Sequence, residues 1–130
     1  MKDRFELTIE KYFSASHSLN NYPGACANNH GHNWRVQLTI SGEKLNELGI
    51  LMDFREMKQV IDKYLDELDH TFINNHNYFK ENKLNPSSEN IAKFIYEGVE
   101  NYLKDKHLKV ESVLVGETPT CYAKYSKVID

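Results

Sequence analysis

The chain has 130 residues, 40% of them hydrophobic, which suffices for one domain with a real core and is too little to expect two, so residues 1–130 are read as a single domain. Lys and Arg number 16 against 19 Asp and Glu, for a net charge of −3 without a long run of either sign; this argues against nucleic acid or a membrane surface as partner and for a small soluble molecule. The apolar runs are short and the opening MKDRFELTIEKYF is charged where a leader needs an unbroken apolar stretch, so a cytoplasmic protein is expected, with Cys26 and Cys121 reduced rather than bridged.

RFELTIEKYFSASH alternates, with Phe5, Leu7, Ile9, Phe13, Ala15 and His17 on one parity and Lys11 as the exception, which predicts a half-buried strand. The Asn-, Gly- and Pro-rich SLNNYPGACANN then reads as a loop. The next strand is cleaner: His30, His32, Trp34, Val36, Leu38 and Ile40 fall on one face and Gly31, Asn33, Arg35, Gln37, Thr39 and Ser41 on the other. From Asp53 the period lengthens, and Phe54, Met57, Val60, Ile61, Tyr64, Leu65 and Leu68 predict a helix opened by an Asp53/Glu56 capping box. The polar NNHNYFKENKLNP reads as a link. A second helix begins at Pro86 with Ser87 or Ser88 and buries Ile91, Phe94, Ile95, Val99, Tyr102 and Leu103; Gly98 weakens it without ending it. LKVESVLVGE and TCYAKYSKV read as strands joined at ETPT. The order ββααββ predicts an α+β fold, a four-stranded antiparallel sheet with two helices on one face. Open sheet edges make closure by oligomerisation a physical expectation.

His30 and His32, two apart on a strand, project the same way and can share one metal ion, and His17 can complete a three-histidine set if the first two strands form a hairpin. Three neutral nitrogens with an open fourth position is the arrangement of catalytic zinc. The bland reading is three hydrogen-bonded core histidines. Cys26, in the loop before the histidines, is a base or nucleophile if a nearby cation lowers its pKa; on the residues alone, a small buried hydrophobe or a fourth ligand fits as well. Asp69 and His70 in LDHTFIN offer a carboxylate and a proton carrier, although neighbours near a helix end point in different directions. Glu117 can accept two N–H groups from a guanidine-like edge such as a pterin or guanine, or it is simply solvated. His76 and His107 receive no role.

Taken together, FSASH, CANNHGH, LDHTFIN, NPSSEN and GET resemble, in order along the whole chain, the motifs of the 6-pyruvoyltetrahydropterin synthase and 6-carboxytetrahydropterin synthase family. The resemblance implies the tunnelling fold (T-fold), a homohexamer assembled as a dimer of trimers, and zinc (Zn2+) held by His17, His30 and His32. It implies Cys26, Asp69 and His70 as catalytic residues, the last two reaching a neighbouring subunit's site, Glu117 as the pterin anchor, and Ser87 and Ser88 as further pterin contacts. The implied substrate is 7,8-dihydroneopterin triphosphate. The short C-x-x-x-H-G-H spacing resembles the carboxy branch, whose product, 6-carboxy-5,6,7,8-tetrahydropterin, lies on the route to queuosine; the pyruvoyl branch, which eliminates triphosphate without cleaving the side chain, is the alternative. NNHGH in place of the commoner RLHGH, and Trp34 in place of Tyr or Phe, depart from the family pattern. A non-catalytic zinc-binding assembly protein is a more distant reading. A zinc hydrolase or nucleobase deaminase is disfavoured, because HExxH and the H-x-E with P-C-x-x-C pattern are both absent.

Overall fold

A computed structural model describes residues 1–21, 24 and 28–130. Its elements are β1 (Phe5–His17), β2 (His30–Gly42), α1 (Phe54–Leu68), α2 (Asn77–Glu81), α3 (Ser88–Leu103), β3 (Lys109–Thr118) and β4 (Cys121–Tyr125). The four strands form one antiparallel sheet in the order β1-β2-β3-β4. Its inner face carries Ile9, Phe13, Trp34, Val36, Leu38, Val113 and Val115 into a single core shared with α1 and α3. The predicted α+β architecture is therefore present. Among the described residues no helix is long and apolar enough to cross a membrane.

Lys11, the one break in the β1 alternation, points inward yet keeps its charge satisfied, because its ammonium lies 3.1 Å from the carboxylate of Asp62 on α1. A long aliphatic stem covers apolar surface while the head finds a partner at the rim. Asp53 caps α1 by accepting from the Arg55 amide at 2.7 Å. The reciprocal arm of the expected capping box is not made, since the Glu56 carboxylate instead accepts from the Tyr102 hydroxyl at 2.6 Å, tying α1 to α3.

The polar link between the two long helices holds more structure than its composition predicts. It contains a short 3-10 helix, Ile73–Asn75, and α2, each anchored by one fully buried side chain, Ile73 and Phe79. His76 caps α2, accepting from the Tyr78 amide through Nδ1 while its Nε2 donates to Glu67 at 2.7 Å. Two apolar anchors in so short a segment cannot display a helical period, so the sequence pattern leaves them invisible.

Gly98 has a reason to interrupt the α3 stripe. A Cβ there would sit 2.4 Å from the Tyr64 ring, whose hydroxyl donates to the Gly98 carbonyl at 3.0 Å. Gly98→Ala should therefore lower stability by roughly 1–3 kcal/mol, the usual cost of overpacking, despite alanine's better helix propensity of about 1 kcal/mol. Urea denaturation of the two proteins checks this; an unchanged or higher midpoint would show that Tyr64 yields freely.

Candidate active site

The hairpin register brings the histidines together. His17 lies opposite His30 and Ala15 opposite His32, so alternation puts all three imidazoles on the inner face at one end of the sheet. Ring centroids are 4.5 Å apart for His17 and His30, 4.9 Å for His30 and His32, and 5.4 Å for His17 and His32. Trp34 forms their floor: its ring meets His17 and His32 edge-on at 4.8 and 5.2 Å, stacks on Phe13, and donates Nε1–H to the Ala15 carbonyl at 3.1 Å. Backbone carbonyls fix two tautomers. His17 Nδ1 donates to Pro86 and His30 Nδ1 to Asn28, each at 2.7 Å, leaving both Nε2 atoms as lone-pair donors. His17 Nε2 and His32 Nε2 are buried with no hydrogen-bond partner among the described residues. Buried polar atoms are seldom left in that state unless something else is to be bound.

Glu117 enters this cluster from β3. Gly116 pairs with Tyr122 and Thr118 with Cys121, so Glu117 is the extra residue of a β-bulge. Gly116 is required there because a Cβ would meet the Thr118 carbonyl oxygen at 2.8 Å and the Cys121 carbonyl oxygen at 3.1 Å. The irregularity lies on the β4 side, and against β2 the alternation runs on, so the Glu117 carboxylate lies within 3.2 Å of His32 Nε2 and 3.8 Å of His17 Nε2. One donor atom from each of His17, His30, His32 and Glu117 lies within 4.8 Å of the others, a set that could hold a metal ion.

Asp69 and His70 do make the contact their adjacency left open. Asp69 closes α1, and His70 takes a left-handed backbone, φ 58°, which turns its ring back so that Nδ1 lies 3.0 Å from Asp69 Oδ2. The other Asp69 oxygen accepts from the Ser14 amide at 2.8 Å, and the segment after it runs along the edge of β1: the amides of His70 and Ser16 bond the carbonyls of Ser14 and Thr71. His70 is 81% exposed in its side chain, and it borders, with Ser14, Ser16, His32 and Phe72, a shallow open hollow at the sheet edge. Ser87 caps α3, accepting from the Asn90 amide at 3.1 Å, and Ser88 begins the helix beside Pro86, whose carbonyl orients His17. Cys26 lies outside the described residues.

Residues 6–128 match the family described as 6-pyruvoyl tetrahydropterin synthase. The chain belongs to that family. It is 35% identical over 126 residues to a 6-carboxy-5,6,7,8-tetrahydropterin synthase of Bacillus subtilis, covering 93% of this chain and 84% of the relative. It is 31% identical over 144 residues to the protein of the same name from Haemophilus influenzae, covering 95% and 99%. In fold it is similar to the solved 6-pyruvoyl tetrahydropterin synthase of Caenorhabditis elegans, with a TM-score of 0.82 at 22% identity over 98% of this chain and 99% of that one. The fold is thus the T-fold of the synthase family.

Burial sets the charge state of two of this family member's histidines, His17 and His32. It pushes the His17 pKa down, against the opposing pull of the Pro86 carbonyl, and pushes that of His32 down against Glu117. Both rings are held neutral, as metal ligands must be. Between the lowered folded-state values and the ordinary histidine value of about 6.5 the unfolded chain binds more protons, so the contribution to stability is complete above that value and is lost as pH falls through the window. The metal-free protein should therefore have a lower urea midpoint at about pH 5.5 than at about pH 7.5; a flat response would contradict neutral buried rings. Asp69 is held below the usual carboxylate range, first by the Ser14 amide and further by His70, so it stays an anion able to orient its neighbour.

The sequence pattern missed the orienting partners. Pro86, Asn28 and Ser14 act through backbone groups, which any residue type supplies, so no signature marks them. Glu117's approach to the histidines did have a signal: Val113, Val115 and Glu117 share a parity, and the pairing of Val36 with Val115 carries that parity to the histidine face.

Proposed function

We propose that this protein is a zinc-dependent 6-carboxy-5,6,7,8-tetrahydropterin synthase, a lyase that converts 7,8-dihydroneopterin triphosphate, with water, to 6-carboxytetrahydropterin, acetaldehyde and triphosphate. The observation that carries the reading is the convergence of three histidines, two with Nδ1 committed to carbonyls and two with Nε2 buried and without a hydrogen-bond partner among the described residues. The support for the substrate is family membership and the names of the relatives from Bacillus subtilis and Haemophilus influenzae.

His17, His30 and His32 would hold zinc through Nε2. Bound there, the ion supplies Lewis-acid polarisation of the substrate's side-chain oxygens, which acidifies the neighbouring C–H. Cys26, as thiolate, would remove that proton. His70 would return one from the ring nitrogen that Asp69 does not hold, the carboxylate fixing the tautomer and supporting the positive charge that develops on the ring. Glu117 would accept the 2-amino and ring N–H of the pterin. Ser87 and Ser88 are assigned to the pterin as well; the Ser87 hydroxyl accepts the α3 cap bond and still has its own O–H to donate. The active assembly is assigned as a homohexamer, a dimer of trimers, in which Asp69 and His70 serve a site completed across a subunit boundary. The exposure of His70 supports that placement.

The test is to incubate zinc-loaded protein with 7,8-dihydroneopterin triphosphate and identify the products. Acetaldehyde together with a 6-carboxypterin is the expected outcome. A 6-pyruvoyl product without acetaldehyde would assign the pyruvoyl reaction instead, and zinc binding with no substrate consumed would leave a zinc-binding assembly protein.

A further inference from the structure

Glu117 has two uses that compete for the same pair of oxygens. The geometry points to an exchange: Glu117 is the fourth metal donor of the pterin-free site, and pterin draws its carboxylate off the metal. This rests on the reading of Glu117 as pterin anchor given above. A tetrahedral zinc site with ligand distances of about 2.0–2.2 Å places neighbouring donor atoms about 3.3–3.5 Å apart. Glu117 Oε2 stands 3.2 Å from His32 Nε2, close to that edge length, and the other oxygen, Oε1, stands 3.8 Å from His17 Nε2. The 3.2 Å approach is not a hydrogen bond, because His32 Nε2 has no aligned partner among the described residues. Two atoms this close without an aligned hydrogen between them are arranged as two ligands of one centre are.

The surrounding structure favours the same reading. The bulge and the close backbone packing at Gly116 fix where the Glu117 backbone sits, while its side chain keeps the freedom of a partly exposed residue. Three neutral histidines leave the full charge of a divalent ion uncompensated, and a carboxylate halves it. A pterin presents two parallel N–H groups that both carboxylate oxygens can accept. Turning both oxygens to that edge takes the lone pairs away from the metal and opens a coordination position beside the substrate's side chain. The metal would thus be closed when idle and open only when a pterin has announced itself.

The probes are zinc, cobalt(II) as its spectroscopic substitute, and pterin lacking the C6 side chain, which binds without reacting. In the wild type, adding this pterin should change the cobalt d–d bands. Glu117→Gln, nearly isosteric, should differ from wild type before any pterin is added and should not respond to it. In chelator competition it should hold zinc less tightly by at least the ~10–100-fold that loss of an outer-shell partner causes. The exchange is overturned if Glu117→Gln keeps wild-type zinc affinity and cobalt bands, or if pterin quenches wild-type fluorescence on binding yet leaves the bands unaltered. Failure of wild type to bind pterin would remove the anchor reading and the exchange together, and zinc affinity alone would then decide whether Glu117 is a metal donor.

Discussion

Cys26→Ala is expected to keep its zinc and to lose turnover of dihydroneopterin triphosphate by roughly 10²–10⁴-fold, the range for removing a positioned proton-transfer group. Two features carry this. Among the described residues the cluster offers four candidate donors without sulfur, three imidazoles and one carboxylate. Cys26 precedes the first histidine of CANNHGH, close enough in sequence for a bound cation to lower the thiol pKa toward neutrality. Metal analysis beside a product assay separates the roles. If the variant emerged without zinc, Cys26 would be a ligand and the base would have to be sought elsewhere.

Trp34→Ala should cost about 3–5 kcal/mol, the usual penalty for emptying a large buried aromatic position. The side chain is fully buried, stacks on Phe13, bonds the Ala15 carbonyl, and touches two of the three histidines. The loss would reach the site as well as the core, because His17 and His32 would no longer have a surface that limits their rotation. A chemical-denaturation midpoint and a zinc titration on the same preparation read both effects. A stability loss below about 1 kcal/mol would mean that the core collapses into the space. Trp34→Phe is the informative companion, since it keeps an aromatic floor while removing the bond to Ala15 and part of the buried ring volume.

What the chain discloses before folding depends on whether an effect has a period or a residue type. β2 is legible because one face is buried from Trp34 to Ile40 and half-buried at His30 and His32, so each side chain from His30 to Ile40 declares its side. The stripes of α1 and α3 are legible for the same reason except at one end of each helix, where Phe54 and Tyr102, expected in the stripes, are exposed because among the described residues no core side chain packs over them there. The α2 segment is not legible, since Ile73 and Phe79 act singly. The Asp69–His70 contact could not be read either, because it depends on a left-handed backbone at His70, which a histidine adopts only when its surroundings demand it. The bulge at Glu117 likewise arises from the pairing of β3 with β4, a relation between strands rather than within one.

The stretch that follows α1 has one more effect, on what β1 can offer a neighbour. In an antiparallel pair alternate residues turn their backbone groups outward, and in β1 these are the even-numbered ones. Ser14 and Ser16 are occupied by Asp69, His70 and Thr71, and Ser18 beyond the strand is tied to the Asn74 side chain. Among the described residues of β1, Glu6, Thr8, Glu10 and Tyr12 have outward N–H and C=O groups with no backbone partner. A strand from another subunit laid along this edge therefore meets a stop just past Tyr12. In a homohexamer of the kind proposed, sliding toward the histidines would be blocked, so the same loop that carries His70 would set how far two subunits could overlap along this edge.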